Sequence, residues 1–167
     1  MASIEERVQR LEDIEAIKRL KAWYAECADA KYTPEHEKKS GAELDRIAWD
    51  QALCFTEDAR WRAGPFGQLD GRQAIYESFR SKSWRFTIHF FMNPVIEVHT
   101  DEASGRWLTW LLGTDKVAQK PVHMVAYTND TYRRVDGRWL IATTQLDIKF
   151  ITDFGAAWSA LPTGSVR

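Results

Sequence analysis

The chain has 167 residues, enough for one sizeable hydrophobic core and short for two domains. Its 44% hydrophobic and 28% charged residues are an ordinary globular composition, and a formal net charge of -1 gives no electrostatic case for nucleic acid or a membrane surface. Two cysteines without metal-type or disulfide spacing point to a reducing compartment. The charged start holds no signal-peptide core and no apolar run is long enough to span a bilayer, so the chain reads as soluble and cytoplasmic.

Ser3 with Glu6 predicts a capping box that opens a first helix. Ile4, Val8, Leu11, Ile14, Ile17 and Leu20 recur at three or four residues and predict one buried stripe running to about Ala28. Carried on, the stripe reaches Tyr24, Cys27 and Ala28, with the carboxylate of Asp29 just beyond. A carboxylate there meets the negative end of the helix dipole, and burial disfavours its charge further; both effects raise its basicity and suit proton chemistry. The competing reading is a tyrosine with a satisfied hydroxyl and an exposed Asp in a turn.

Lys31 to Gly41 is polar, contains Pro34 and Gly41, and reads as a loop. It is placed either to cover a pocket mouth or to serve as a plain surface connection, with His36 in solvent. Leu44, Ile47 and Ala48 predict a second helix over about Ala42 to Leu53, with Trp49 on its apolar face. A short strand, Ala59 to Ala63, and a turn at Gly64 to Gly67 follow. Asp70 with Gln73 then reads as the cap of a short helix through Ile75 and Phe79 to about Arg80.

Beyond this the period becomes that of strands, over Phe86 to Met92, Val95 to His99, Arg106 to Leu112, Val122 to Arg133 and Trp139 to Phe150. Asp101 to Gly105 and Asp136-Gly137 are hairpin connections, and a loop ends at Pro121. Helices first and strands later predict an α+β domain over residues 1–154, a curved, mostly antiparallel sheet around a helix-lined cavity. The tail, Gly155 to Arg167, is expected to be partly disordered or draped over a neighbour.

Within Thr87-Ile-His-Phe-Phe91, His89 shares a strand face with Thr87 and Phe91. Imidazole titrates near neutrality, so a carboxylate on one ring nitrogen leaves the other to move a proton. Trp23, Trp49, Trp61, Phe86, Phe91 and Trp110 are candidates for an apolar wall that excludes water. His123 and Asn129 are candidate polar contacts, and His99 is expected to be exposed. No phosphate-cradling glycine loop, GxSxG elbow, HExxH pair or cysteine cluster occurs, so nothing supports a metal site or requires a cofactor.

The first helix with Tyr24 and Asp29, the segment Phe55-Thr-Glu-Asp-Ala-Arg-Trp61 with its glycine-rich turn, the strand of His89, and Gly105-Arg-Trp107 together resemble a SnoaL-like protein of the NTF2-like superfamily. The similarity runs from about Ile4 to Phe154 and is nearest to the bile acid 7α-dehydratase type. Scytalone dehydratase and hexachlorocyclohexane dehydrochlorinase are more distantly similar. The resemblance implies a cone-shaped barrel with a deep apolar pocket and, commonly, a homotrimer. It places the family's catalytic Tyr, Asp and His on Tyr24, Asp29 and His89. Related enzymes also use an Arg from the last strand; here Ala142 to Lys149 has none, and Lys149 is the nearest candidate. The implied activity is a cofactor-independent lyase of the dehydratase type on a hydrophobic cyclic or aromatic substrate. The alternatives are an isomerase, a lyase deformylating a lignin-derived diaryl compound, and a non-catalytic ligand-binding or oxygenase-associated subunit.

Overall fold

A computed structural model describes residues 2–81, 84–115 and 120–153. The expected tail, Gly155 to Arg167, and most of the loop before Pro121 lie outside the described residues. Helix α1 (Ile4–Asp29) begins at the predicted capping box: the Ser3 side chain accepts from the Glu6 N–H, and the Glu6 carboxylate accepts from the Ser3 N–H at 2.7 Å. Its buried face differs from the predicted stripe. Ile4, Val8 and Leu11 are exposed, and the residues turned inward are Asp13, Ile17, Lys21, Tyr24, Cys27 and Ala28. The same three-to-four spacing is present, displaced onto a face that carries two charges.

Helix α2 (Gly41–Ala52) buries Leu44, Ile47 and Ala48 as expected, and Gln51 with them. Strand β1 (Phe55–Arg62) starts earlier than predicted, because Phe55 is already fully buried in the core. A single 3-10 turn, Gly64–Phe66, and a short strand β2 (Gln68–Asp70) lead to α3 (Arg72–Ser81). Asp70 is not the expected helix cap: it ends β2 and receives Arg62 Nη2 at 2.6 Å. The long strands follow: β3 (Trp84–His99), β4 (Glu102–Asp115), β5 (Pro121–Val135) and β6 (Arg138–Asp153). What reads as two strands, Phe86 to Met92 and Val95 to His99, is one strand with a bulge where Asn93 takes a φ of 48°. Asp136 and Gly137, at φ 48° and 75°, make the tight turn their sequence predicts.

The sheet runs β2-β1-β6-β5-β4-β3. It is α+β as expected, but mixed and open: β1 lies parallel to β6, and β2 and β3 are its edges. The curved sheet holds α1 against β3 and packs α2 on α3 across its inner side. The core joins Ile17 and Tyr24 of α1, Phe55 and Trp61 of β1, Ile75 and Phe79 of α3, and Trp107, Tyr132 and Ile141 of the long strands. Among the described residues, no helix is long and apolar enough to cross a membrane.

Two buried carboxylates dock α1 on this sheet. Asp13 receives Trp139 Nε1 at 3.0 Å and Arg134 at 2.8 Å. Burial pushes the Asp13 carboxyl up, but these hydrogen bonds together outweigh it and hold it below the ordinary value. Lys21 donates to Asp130 Oδ2 at 2.6 Å, with both side chains out of solvent. Tyr132 OH and Thr144 Oγ1 also donate to Asp130, each at 2.8 Å, and Trp107 Nε1 donates to Tyr132 OH at 2.8 Å. Both carboxylate oxygens therefore have partners, which is the condition for keeping such a pair inside.

Candidate active site

The last turn of α1, the loop after it, α2, α3 and the inner face of the sheet enclose a cavity of about 90 Å³. That is several times the volume at which a polar cavity begins to hold water. Tyr24 and Ala28 of α1, Gln51 of α2, Phe79 of α3, Trp61 of β1 and Thr87, His89 and Phe91 of β3 form its wall. Leu111, Met124 and Leu146, one from each of β4, β5 and β6, add an apolar side. Lys31, Tyr32 and Lys38 come from the loop, so that loop does border the cavity. A bridge between Tyr32 and Lys38 closes it on itself. His36 is exposed as expected, although its ring rests on Phe86 at 4.2 Å between centroids.

His89 and Asp29 meet. Asp29 Oδ1 lies 2.7 Å from His89 Nδ1, and Asp29 Oδ2 accepts the His89 backbone N–H at 3.2 Å. The strand makes this possible: β3 is a sheet edge, so the His89 amide is turned to the helix and not to another strand. Alternation puts Thr87, His89 and Phe91 on the cavity side together, as the sequence parity requires. Asp29 itself stands behind the ring, along a second groove between α1 and β3. With Nδ1 held by the carboxylate, Nε2 is the ring nitrogen left for chemistry.

Tyr24 is the innermost of the three polar groups. Phe55, Phe79 and Phe91 surround its ring edge-on at centroid distances of 5.8, 6.0 and 5.8 Å. Burial, then the nearby charge of Asp130, push its phenol far above the usual range, so it remains a hydrogen-bond donor at every physiological pH. Phe91 also lies 6.3 Å from the His89 ring, so this one side chain packs against both Tyr24 and His89.

Trp61 and Phe91 line the cavity as predicted, and five other predicted contacts do not. Trp49 is 39% exposed and packs on Tyr76 at the outside of α2. Trp110 is on the opposite face of the sheet against Phe90, and His123 packs there on Phe150. Asn129 is exposed, and Lys149 pairs with Asp147 at 2.7 Å on the surface. Trp23 is likewise exposed, and Phe86 packs on Tyr32 away from the inner wall. Sequence reasoning missed Lys21, Lys31, Tyr32 and Gln51. The signal for Lys21 and Gln51 was their helical spacing from Tyr24 and Ala48; that for Lys31 and Tyr32 was nearness to Asp29. Among the described residues, no three His, Cys, Asp or Glu side chains gather as a metal site requires.

The fold matches those of known proteins. The chain superimposes on a hexachlorocyclohexane dehydrochlorinase, LinA type 2, with a TM-score of 0.76 at 20% identity, covering 93% of this chain and 98% of that one. A candidate scytalone dehydratase from Novosphingobium aromaticivorans gives 0.71 at 21% identity, over 88% and 91% of the two chains. An NTF2-like protein with a cystatin-like fold, also from Novosphingobium aromaticivorans, gives 0.69 at 20% identity over 96% of each chain. These similarities establish the fold. The SnoaL-like domain family matches residues 40–145, a span that contains His89 and leaves Tyr24 and Asp29 upstream. On that match the chain belongs to the SnoaL-like domain family, in its NTF2-like fold.

Proposed function

We propose that the protein is a lyase of the dehydratase type, acting by acid-base chemistry of its own side chains on a hydrophobic cyclic or aromatic substrate. The observation that carries this reading is the 2.7 Å contact of Asp29 with His89 Nδ1 at the wall of an aromatic cavity. Asp29 holds the imidazole tautomer and stabilises the imidazolium. His89 Nε2 takes a proton from carbon beside an activating group. The electron pair forms the new double bond as the neighbouring carbon–oxygen bond breaks. Tyr24, which its burial keeps protonated, hydrogen-bonds the oxyanion or protonates the departing oxygen. Similarity to a candidate scytalone dehydratase and to a dehydrochlorinase supports the lyase class.

One observation favours a second reading. Lys149, the nearest substitute for a last-strand Arg, faces solvent and is paired with Asp147, so that strand brings no cation to a leaving group. A reaction without an anionic leaving group, either isomerisation or a retro-aldol release of formaldehyde, asks less of that position. Incubation with a panel of lipophilic cyclic alcohols and aryl alcohols, read by product mass, separates loss of water, loss of formaldehyde and no change. His89→Gln is expected to lower turnover by roughly 10²- to 10⁴-fold with the fold intact. Undiminished turnover in that variant sinks the proposal.

A further inference from the structure

Lys31 is the feature of the cavity that the acid-base reading leaves unused. It follows the end of α1, is 7% exposed, and faces the cavity. Its amine meets only neutral acceptors among the described residues: Gln51 Oε1 at 2.9 Å and the Phe79 carbonyl at 3.5 Å. An ammonium carries three donors, so at least one is left for a ligand, and the 3.5 Å contact is weak. The Phe79 ring lies 5.2 Å away and offers its face, which is no counter-ion. A buried ammonium without a carboxylate partner is costly and is retained where something else uses it.

The other charged groups around it set the sign of the field. Lys21 lines the same cavity but is neutralised by Asp130, and Lys38 donates to the Arg80 carbonyl at 2.8 Å. Asp29 and Cys27, from the end of α1, act on Lys31 more weakly than its burial does. His89 of β3 is committed to Asp29. The described lining residues thus include three lysines and a histidine and no carboxylate.

We propose that Lys31 anchors an anionic oxygen of the ligand, so that the cavity selects aromatic phenolates or carboxylates over neutral aromatic compounds. This rests on the reading of the cavity as the substrate site, and it names the substrate class. Lys31 borders an aromatic box, so the ring of such a ligand lies among Tyr24, Phe79 and Trp61 while its oxygen takes the remaining donor of Lys31. Burial, with Lys38 nearby, lowers Lys31 to about 8, so the free protein carries the charge at pH 7 and loses it in mild alkali.

Trp61 and Trp84 line the cavity and give a direct signal, because nitroaromatic compounds quench indole fluorescence. The probes are 4-nitrobenzoate and 2,4-dinitrophenolate, both ionised at pH 7, each against its methylated neutral counterpart, titrated into the whole protein at that pH. At least one anion is expected to bind roughly tenfold or more tightly than its neutral counterpart, the scale of a charge-assisted hydrogen bond. Which anion does so distinguishes carboxylate from phenolate. Lys31→Met is expected to abolish the preference while retaining the neutral ligands. Equal binding of both members of each pair, a preference that survives in Lys31→Met, or no saturable quenching by any of the four overturns the anchor. Should that variant fail to fold, the unaltered protein decides: its preference for 4-nitrobenzoate over the methyl ester must shrink between pH 7 and pH 10, and a flat profile overturns the anchor. Binding is read without turnover, which separates the two ideas. A protein that binds anions through Lys31 and turns over nothing sinks the lyase reading alone. One that dehydrates neutral alcohols with no anion preference sinks the anchor alone.

Discussion

Lys21 and Lys31 are both buried and both border the cavity, yet only Lys21 has a counter-ion. Lys21 ends on Asp130, whose oxygens are also taken by Tyr132 and Thr144, and its amine sits 4.2 Å above the Phe91 ring. That arrangement is closed: every partner is protein, and its effect is to hold Phe91 and the inner sheet in place. Lys31 ends on an amide and a carbonyl, with capacity unspent. The same side chain is thus a structural member at one end of the cavity and an open binding group at the other. The difference lies in what faces each amine.

The sharpest way to break the comparison is to remove the counter-ion. Asp130→Asn keeps the shape but offers one acceptor where Tyr132 and Thr144 use two oxygens, strands the Lys21 charge, and should cost about 3–5 kcal/mol in urea unfolding. Adding Lys21→Met to that variant should restore most of the loss, because two well-packed neutral groups replace a stranded ion. If the single variant unfolds like the parent, the pair is not holding the fold. Gly105→Ala tests the same network from its rim: a Cβ there would lie 2.9 Å from Tyr132 Cε2 and 3.3 Å from Trp107 Nε1. Displacing that tyrosine should cost about 1–3 kcal/mol. Lys31→Met, by contrast, should leave urea stability within about 1 kcal/mol of the parent or above it, since it removes a buried charge that no protein group neutralises. A loss as large as that of Asp130→Asn would place Lys31 with the structural lysine.

Acid offers a further separation. The Asp13 carboxyl is held below its ordinary value when folded, so it contributes stability that is present above the unfolded pKa and is lost as pH falls through the lower folded one. Urea midpoints should therefore drop below the ordinary carboxylate range, and Asp13→Asn should flatten that part of the profile. Lys31 has linkage of the same sign in a separate, alkaline window. Its folded pKa is lowered, so protonation on acidification opposes folding at that residue, and stability from this group rises as pH increases from about 8 toward its unfolded value near 10.5.

Much of the architecture was legible before any coordinates. The capping box, the Asp136-Gly137 turn, the order of helices before strands and the parity of His89 with Thr87 and Phe91 all depend on neighbours in sequence. The parts that failed depend on which side of an element is covered. In β4 the inward residues Trp107, Thr109 and Leu111 alternate with Leu108, Trp110 and Leu112, so both faces are apolar and hydrophobicity cannot choose between them. The same ambiguity left His123 and Asn129 as cavity candidates when they belong outside it, and Lys149, which the resemblance offered in place of a last-strand Arg, pairs with Asp147 at the surface. In α1 the error ran the other way: Asp13 and Lys21 look like solvent-facing charges, and only Asp130 and Arg134, far along the chain, explain their burial. A partner more than a hundred residues away leaves no local pattern.

Asp29 is the final residue of α1, and its one carboxylate grips both the ring and the main-chain amide of His89 at the unpaired margin of β3. Aiming the imidazole and seating the helix end are therefore a single event. A brief lifting of that end disarms the pair while the sheet stays folded, and the His89 amide becomes open to deuterium at the same instant. Exchange at one backbone hydrogen thus reports the fraction of time the imidazole is out of alignment.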